Sequence, residues 1–175
     1  MLAAIGAFVL VNWRSAQAGQ PTTREQTHFS AEDMSVQRPV AIPRDLLTIL
    51  KEDESVQHVL NDYDPRTELK EPPDSWFSAS VIHLRDKDQT DFVVVGEGPL
   101  AGANMVTFWV FVATPNGYKL VLNAPAHDLE VNRRRWNHYR EIEMSAETAV
   151  VFSSVLYRWD GTRYVNFRAE SHEIR

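Results

Sequence analysis

The sequence predicts an α+β fold in which a short N-terminal helical segment packs on a mainly antiparallel meander sheet or half-barrel of about six or seven strands. Three observations lead to this prediction. Apolar residues recur with helical spacing between residues 43 and 62, and with a period of two from residue 75 onward. The sequences Pro115-Asn116-Gly117 and Asp160-Gly161 then separate apolar runs, as turns between antiparallel strands do.

Composition restricts the classes of site that the chain can carry. It has 175 residues, no cysteine and a formal net charge of −6. Without cysteine there are no disulfides, zinc–thiolate sites or thiol nucleophiles. A mildly acidic chain also repels nucleic acid and anionic lipid surfaces. We therefore expect a protein or cell-envelope component as partner, no nucleic acid, no cofactor and no metal.

The N-terminus has the pattern of an export signal. Leu2 to Val11 is an apolar run, and Ala16-Gln17-Ala18 has the small-x-small pattern that signal peptidases cleave. The run is shorter than the ~20 residues that a membrane-spanning helix requires. Residues 1–18 are therefore predicted to be an export leader or a short membrane anchor, with any membrane contact through residues 1–13. No Lys or Arg precedes the run, so an ordinary core helix is a further alternative.

The next two segments complete the predicted domain organisation. Residues 19–42 are predicted to be a flexible tether, because the stretch up to Arg38 is rich in Gln, Thr, Ser, Pro and Glu and has no hydrophobic period. Residues 43–175 are predicted to form one globular domain, which is the domain count that this length favours. The expected location is periplasmic or extracellular.

The helical segment is predicted to begin at Pro43, because proline suits the first position of a helix. Apolar spacing continues to Leu50, and Asp53 is predicted to cap a second short helix that ends near Asn61. One bent helix is the alternative. Residues 65–74 are predicted to be a polar connector.

The first half of the β region contains three predicted strands. Residues from Ser75 to Leu84 alternate, and Phe92 to Val95 form an apolar run. The loop from Gly96 to Asn104 holds three glycines but lacks the Lys-Ser/Thr pair of a phosphate-binding loop. Met105 to Ala113 is apolar on both faces, which predicts a central strand.

The second half is predicted to be formed mainly of hairpins. Residues 118–122 should return antiparallel after the Pro-Asn-Gly turn, whereas residues 124–132 are predicted to be a loop or one irregular turn. Residues 139–144 are predicted to form a strand. Residues 150–159 and 162–168 should form a hairpin about Asp160-Gly161. A two-residue turn would place Arg158 opposite Arg163, and a longer loop that shifts this register is the alternative.

One candidate catalytic group is the pair His127-Asp128, together with a carboxylate such as Glu97. A histidine oriented by a carboxylate is the core of general-base chemistry. However, no Gly-x-Ser-x-Gly motif supplies a partner serine. The simpler interpretation is that Asp128 caps a turn and His127 bonds to the backbone. His83 near Asp86 and Asp88 is interpreted as a polar turn rather than a metal site, because cations interrupt the acidic residues.

The candidate binding residues contain the only concentrated positive charge. They are Arg133, Arg134, Arg135, Trp136 and Tyr139, together with Asn104 in the glycine loop. Arginine beside aromatic residues is typical of surfaces that bind anions or proteins. Three arginines on an acidic chain make a poor nucleic-acid site, because affinity there follows the number of neutralised phosphates.

Three segments carry a resemblance to small, exported bacterial proteins of unassigned function. They are Asp91 to Phe111, Gly117 to Leu122, and the Tyr-x-x-Asp-Gly-x-x-Tyr run from Tyr157 to Tyr164. The resemblance covers residues 75–168 and implies export and one compact domain, but no activity. Many members of that group carry a cysteine near the Gly-Ala-Asn loop, and this chain has none.

The leading functional hypothesis is an exported, non-catalytic domain that binds a protein or an envelope component. An acidic inhibitor of a basic enzyme would be one form of it. The first alternative is a small hydrolase or lyase that uses His127 and Asp128. The second is a subunit of a membrane-bound assembly, anchored through residues 1–13.

Overall fold

Two antiparallel sheets and two short helices form the part of the chain that the computed structural model describes, residues 25–33, 36–63 and 69–174. The predicted leader or anchor, residues 1–18, lies outside this part. The helices are α1 (Arg44–Glu52) and α2 (Glu54–Asp62). The strands are β1 (His28–Ser30), β2 (Phe77–Ile82), β3 (Asp91–Gly96), β4 (Val106–Thr114), β5 (Gly117–Ala126), β6 (Asp128–Trp136), β7 (Tyr139–Glu147), β8 (Val151–Trp159) and β9 (Tyr164–Glu173).

The strands divide between the sheets in an almost sequential order. One sheet has the order β2-β3-β4-β5 and the other has the order β1-β6-β7-β8-β9. Only His127 separates β5 from β6, so the chain passes directly from one sheet into the other. The α+β class and the antiparallel meander are confirmed. The prediction of a single sheet or half-barrel with six or seven strands is corrected to nine strands in two sheets.

The four-stranded sheet is buried on both faces, and β4 shows why. Phe108 and Val110 pack in the core between the two sheets, whereas Trp109 and Phe111 pack in a second core with the helices. All four of these side chains are fully buried. Strand β4 pairs with β3 on one side and β5 on the other, so its predicted central position is confirmed.

Asp53 separates the two helices and ties them to the sheet. Its Oδ1 accepts a hydrogen bond from the Ser55 backbone N–H (3.0 Å), which caps α2 as predicted. Its Oδ2 accepts from Trp109 Nε1 (3.1 Å) and Asn123 Nδ2 (2.7 Å). The chain therefore forms two helices rather than one bent helix. Pro43 is the N-cap of α1 rather than its first residue.

The prediction of a flexible tether is wrong for residues 25–33 and 36–42. Strand β1 pairs with β6, and Phe29 (1% exposed) lies in the core between the sheets together with Val36 (2% exposed). His28 therefore lies in a strand rather than in a tether. Two isolated apolar residues are enough to anchor this segment, although they give it no hydrophobic period.

The predicted loop at residues 124–132 is also wrong, because β5 runs to Ala126 and β6 begins at Asp128. Strand β5 contains Pro125, which is tolerated there because β5 is an edge strand of its sheet. The buried Leu129 and Val131 follow a period of two within β6.

The final hairpin has the longer loop of the two alternatives. Trp159 pairs with Tyr164, and Arg158 lies opposite Val165 rather than Arg163. The Asp160 Oδ1 atom accepts hydrogen bonds from the backbone N–H groups of Thr162 (2.7 Å) and Arg163 (2.9 Å), which closes a loop over residues 160–163. These bonds lower the pKa of Asp160. Strand β9 continues past the predicted end at Arg168, so His172 lies in a strand rather than in a tail.

The glycine loop is built around a close approach at Gly96. A Cβ atom at this position would lie 2.9 Å from the Leu100 Cβ atom, which cannot move without the backbone. We expect Gly96→Ala to lower the free energy of unfolding by about 1–3 kcal/mol through overpacking, measured by urea denaturation. Gly98→Ala measures backbone strain without overpacking, because Gly98 has a φ of +55°, which an alanine rarely adopts, and open space around it. A Gly96→Ala variant within about 0.5 kcal/mol of the wild type would contradict the steric argument.

Candidate functional site

An exposed arginine–aromatic cluster lies on the five-stranded sheet. We define it as Trp136, Glu141, Arg158 and Phe167. The Arg158 Cζ atom is 3.4 Å from the centroid of the Phe167 ring and 4.5 Å from that of Trp136. The two rings are 6.5 Å apart with an interplanar angle of 27°. The guanidinium is therefore held between two aromatic faces, which is a favourable cation–π arrangement.

Four neighbouring strands bring the cluster together. Trp136 ends β6, Glu141 lies on β7, Arg158 on β8 and Phe167 on β9. Tyr157 pairs with Asn166 while Leu156 pairs with Arg168, so Phe167 is an extra residue in β9 at a β-bulge. Bulges commonly redirect a side chain. Here the bulged residue is the one whose ring lies against Arg158.

A buried ion pair fixes the arginine. Arg158 Nε donates to Glu141 Oε1 at 2.6 Å, and the two side chains are only 9% and 3% exposed. Arg134 Nε lies 3.7 Å from Glu141 Oε2 and is well exposed. Charge-assisted bonds of this kind are short and directional. The guanidinium is therefore preorganised by the carboxylate, and Arg134 extends the positive charge to the surface.

The two rings of the cluster leave much of their area in solvent. Trp136 is 46% exposed and Phe167 is 54% exposed. Exposed apolar groups gathered in one region are typical of interaction surfaces.

Only some residues of the predicted arginine patch lie on one surface. Trp136 belongs to the cluster and Arg134 borders it, while Arg133 is exposed on β6. Arg135 has a structural role, because its Nη1 donates to the carbonyl oxygens of His138 (2.8 Å) and Leu84 (3.1 Å).

The remaining two predicted binding residues contact other parts of the molecule. Tyr139 is half-buried and stacks on Trp159 with a centroid distance of 4.0 Å, while the Arg85 guanidinium lies 5.2 Å from its ring. Burial raises the pKa of Tyr139. Asn104 lies in a tight turn that Gly102 N–H closes onto the Met105 carbonyl (2.8 Å). The structure joins neither residue to the cluster.

His127 and Asp128 do contact each other, although they are adjacent in sequence. His127 Nδ1 lies 3.1 Å from Asp128 Oδ2, and His127 Nε2 lies 3.8 Å from Glu32 Oε1. Burial raises the pKa of Asp128, but the hydrogen bonds from Ser30 and His127 and the charges of His127 and His28 outweigh it and lower the pKa overall.

The backbone of this pair belongs to the junction between the two sheets. The His127 backbone bonds to Ser145 and Ala31 at the junction of β5 and β6, where Asp128 begins a strand rather than capping a turn. The third predicted catalytic residue, Glu97, donates its backbone N–H to the Trp76 carbonyl in the other sheet. The arrangement is an ion-pair cluster between strands.

A cavity of about 400 Å³ lies beside another ionic junction. Glu25 joins two elements there, because its Oε1 accepts from the His83 backbone N–H (2.6 Å) and its Oε2 accepts from Arg140 Nη1 (3.0 Å). His83 Nδ1 lies 3.6 Å from the same carboxylate. His83, beside the predicted polar turn, is therefore tied to the N-terminal segment.

No protein-family model, curated protein or solved structure matches this chain. The functional argument therefore depends on geometry. Across residues 25–33, 36–63 and 69–174, no group of three or more His, Asp or Glu side chains is arranged to hold a metal ion. Neither described helix is long and apolar enough to cross a membrane.

Sequence reasoning found Trp136 but missed Glu141, Arg158 and Phe167 as its partners. The alternating pattern of residues 139–144 places Glu141 on the opposite face of the strand from the apolar Ile142, and this pattern could have pointed to Glu141 as a partner. The contact between Arg158 and Phe167 had no such signal, because it depends on the bulge in β9.

Proposed function

We propose that this chain is an exported, non-catalytic protein-binding domain with the arginine–aromatic cluster at the centre of its interface. The observation that carries the proposal is the Arg158 guanidinium held between two exposed rings. Tryptophan and arginine are the residues most enriched among those that dominate binding energy. The Glu141 carboxylate already fixes Arg158, so little side-chain entropy remains to be lost on binding.

The chemistry of the cluster favours a protein partner with an apolar group flanked by carboxylates. The apolar group would cover Trp136 and Phe167, and the carboxylates would meet the exposed Arg133 and Arg134. A net charge of −6 disfavours nucleic acid, because the two exposed arginines Arg133 and Arg134 would neutralise too few phosphates to hold it. Export is supported by the leader pattern in residues 1–18, so the partner is expected in the cell envelope or outside the cell.

The proposal predicts that Trp136→Ala weakens partner binding by about 30-fold, since losing a central aromatic anchor costs about 2 kcal/mol. The protein would be immobilised, the partner captured from the envelope fraction, and its dissociation constant then measured with purified material. Capture from the cytosolic fraction would show whether the partner is specific to the envelope.

Met105→Ala is the matched control for this prediction. Met105 is 45% exposed, close to the 46% of Trp136, but it precedes β4 of the other sheet. Its loss should leave binding unchanged. Equal binding by the wild type and the Trp136→Ala variant would contradict the proposed interface. Equal weakening by both variants would contradict it as well.

A further inference from the structure

The edge strand β9 presents an unpaired backbone to solvent. It is the last strand of the five-stranded sheet, and β8 is its only neighbour among the strands of the described residues. Pairing with β8 extends over the full strand, from Tyr164 to Glu173. The side chains after Val165 are exposed. An edge of this length is a template for another strand.

Most proteins block such an edge with lysine, proline, other charges or a bulge, and β9 has only the bulge at Phe167 and charges of mixed sign. Lysine and proline are absent between Tyr164 and Ile174. The charges present are of both signs, with Arg168 and Glu170 separated by one residue. Their side chains are 59% and 60% exposed and lie 3.3 Å apart within the same strand. The Arg168 and Glu170 side chains can therefore contact a second strand at little cost in free energy.

The order of these charges makes the strand complementary to itself. When two copies of β9 run antiparallel with Ala169 opposite Ala169, Arg168 of each copy lies opposite Glu170 of the other. Directly opposite residues lie on the same face, so both charge pairs form side by side. A shift of the centre to Arg168 or to Glu170 would place like charges opposite each other. Of the registers centred on Arg168, Ala169 and Glu170, the one centred on Ala169 is therefore the one that pairs opposite charges.

We propose that two copies of this chain pair through β9 in this register and join their five-stranded sheets into one continuous sheet. The occupant of the edge is a second copy, because charge complementarity is satisfied by the strand itself. Main-chain hydrogen bonds would supply the affinity and the Arg168–Glu170 pairs would set the register. Phe167 of the arginine–aromatic cluster lies on the same strand, so the two proposals are distinguished by their measurements, which are partner binding for Trp136 and oligomeric state for β9.

Sedimentation equilibrium of the full chain tests the inference with a charge swap. The wild type should dimerise, and Arg168→Glu and Glu170→Arg should each raise the dimer dissociation constant at least about tenfold, because each places like charges opposite each other. The double variant Arg168→Glu/Glu170→Arg restores opposite charges and should return to within about threefold of the wild type.

Lys87→Glu is the matched control for Arg168→Glu, since it makes the same change in net charge in the turn between β2 and β3. It should leave the dimer intact. Far-ultraviolet circular dichroism would establish that every variant is folded. A wild type that remains monomeric at about 1 mM would overturn the inference. A double variant as weak as the single variants would overturn it too, because the register would then be wrong.

Discussion

Replacing Asp91 by alanine should lower the free energy of unfolding by about 3–5 kcal/mol, which is among the largest effects expected in this molecule. The Asp91 side chain is fully buried. Its Oδ2 accepts from the Leu84 N–H and its Oδ1 from the Ala113 N–H, both at 2.9 Å. Arg85 Nη2 lies 3.6 Å from Oδ1. Alanine would leave two buried N–H groups without acceptors and one arginine without its carboxylate.

The pH dependence of this effect has a definite sign. Burial raises the pKa of Asp91, and the two N–H bonds and Arg85 only partly oppose it. The native state therefore holds its proton to a higher pH than the unfolded chain, whose carboxyl titrates near 3.8. The contribution of Asp91 to the free energy of unfolding must therefore fall as the pH rises from about 3.8 through the pKa that Asp91 has in the folded state. Asp91→Asn removes this titration, so its stability relative to the wild type should improve over that interval.

Urea denaturation at a series of pH values from 4 upward would measure both effects. Asp86→Ala is the control, because Asp86 is exposed in the neighbouring turn and its loss should change stability by less than about 0.5 kcal/mol. An Asp91→Ala variant within about 1 kcal/mol of the wild type would show that water or a rearranged backbone satisfies the two N–H groups.

Local patterns were sufficient to predict much of the fold. The alternation in Val106–Thr114 places apolar side chains on both faces, and a strand of that kind must be central. Asp53 has the position and side chain of a helix cap, and it caps α2. Both inferences depend on neighbouring residues alone, so no knowledge of strand pairing was needed.

The division into two sheets could not be predicted in this way. The chain leaves one sheet and enters the other at His127 without a turn signal, because the strand simply continues. Strand β1 has three residues, too few for a period to be visible. Its place beside β6 is fixed by burial of Phe29 against residues about a hundred positions later, such as Leu129. Pairing over such separations leaves no trace in a local pattern.

The candidate site, like the fold, could be predicted only in part from the sequence. The sequence shows Trp136 next to several arginines, but the residues that contact them depend on the register between strands. A two-residue turn at Asp160-Gly161 gave the wrong register, because the Asp160 carboxylate binds two backbone N–H groups and lengthens the loop. The bulge at Phe167 then changes the register once more. The length of the loop and the position of the bulge thus determine which aromatic ring contacts Arg158.

Loss of the Glu141 carboxylate should have the second large effect. Glu141→Ala leaves the buried Arg158 guanidinium without its carboxylate, and breaking such a pair costs about 3–5 kcal/mol. Glu143→Ala, two residues along the same strand and half-exposed, should cost less than about 0.5 kcal/mol. Urea denaturation of the two variants measures the difference.

A double-mutant cycle separates the ion pair from the packing around it. In Glu141→Ala/Arg158→Ala neither charge remains buried alone, so the double variant should lose less stability than the sum of the two single losses, with a coupling of about 1–3 kcal/mol. Arg158→Lys tests the second role of the arginine, because an ammonium keeps the charge but not the planar contact with Trp136 and Phe167. This variant should bind the partner more weakly than the wild type and should lose less stability than Arg158→Ala, because its charge still faces Glu141. Strictly additive losses in the cycle would mean that Glu141 and Arg158 stabilise the fold separately, and the preorganisation of the guanidinium by Glu141 would then be refuted.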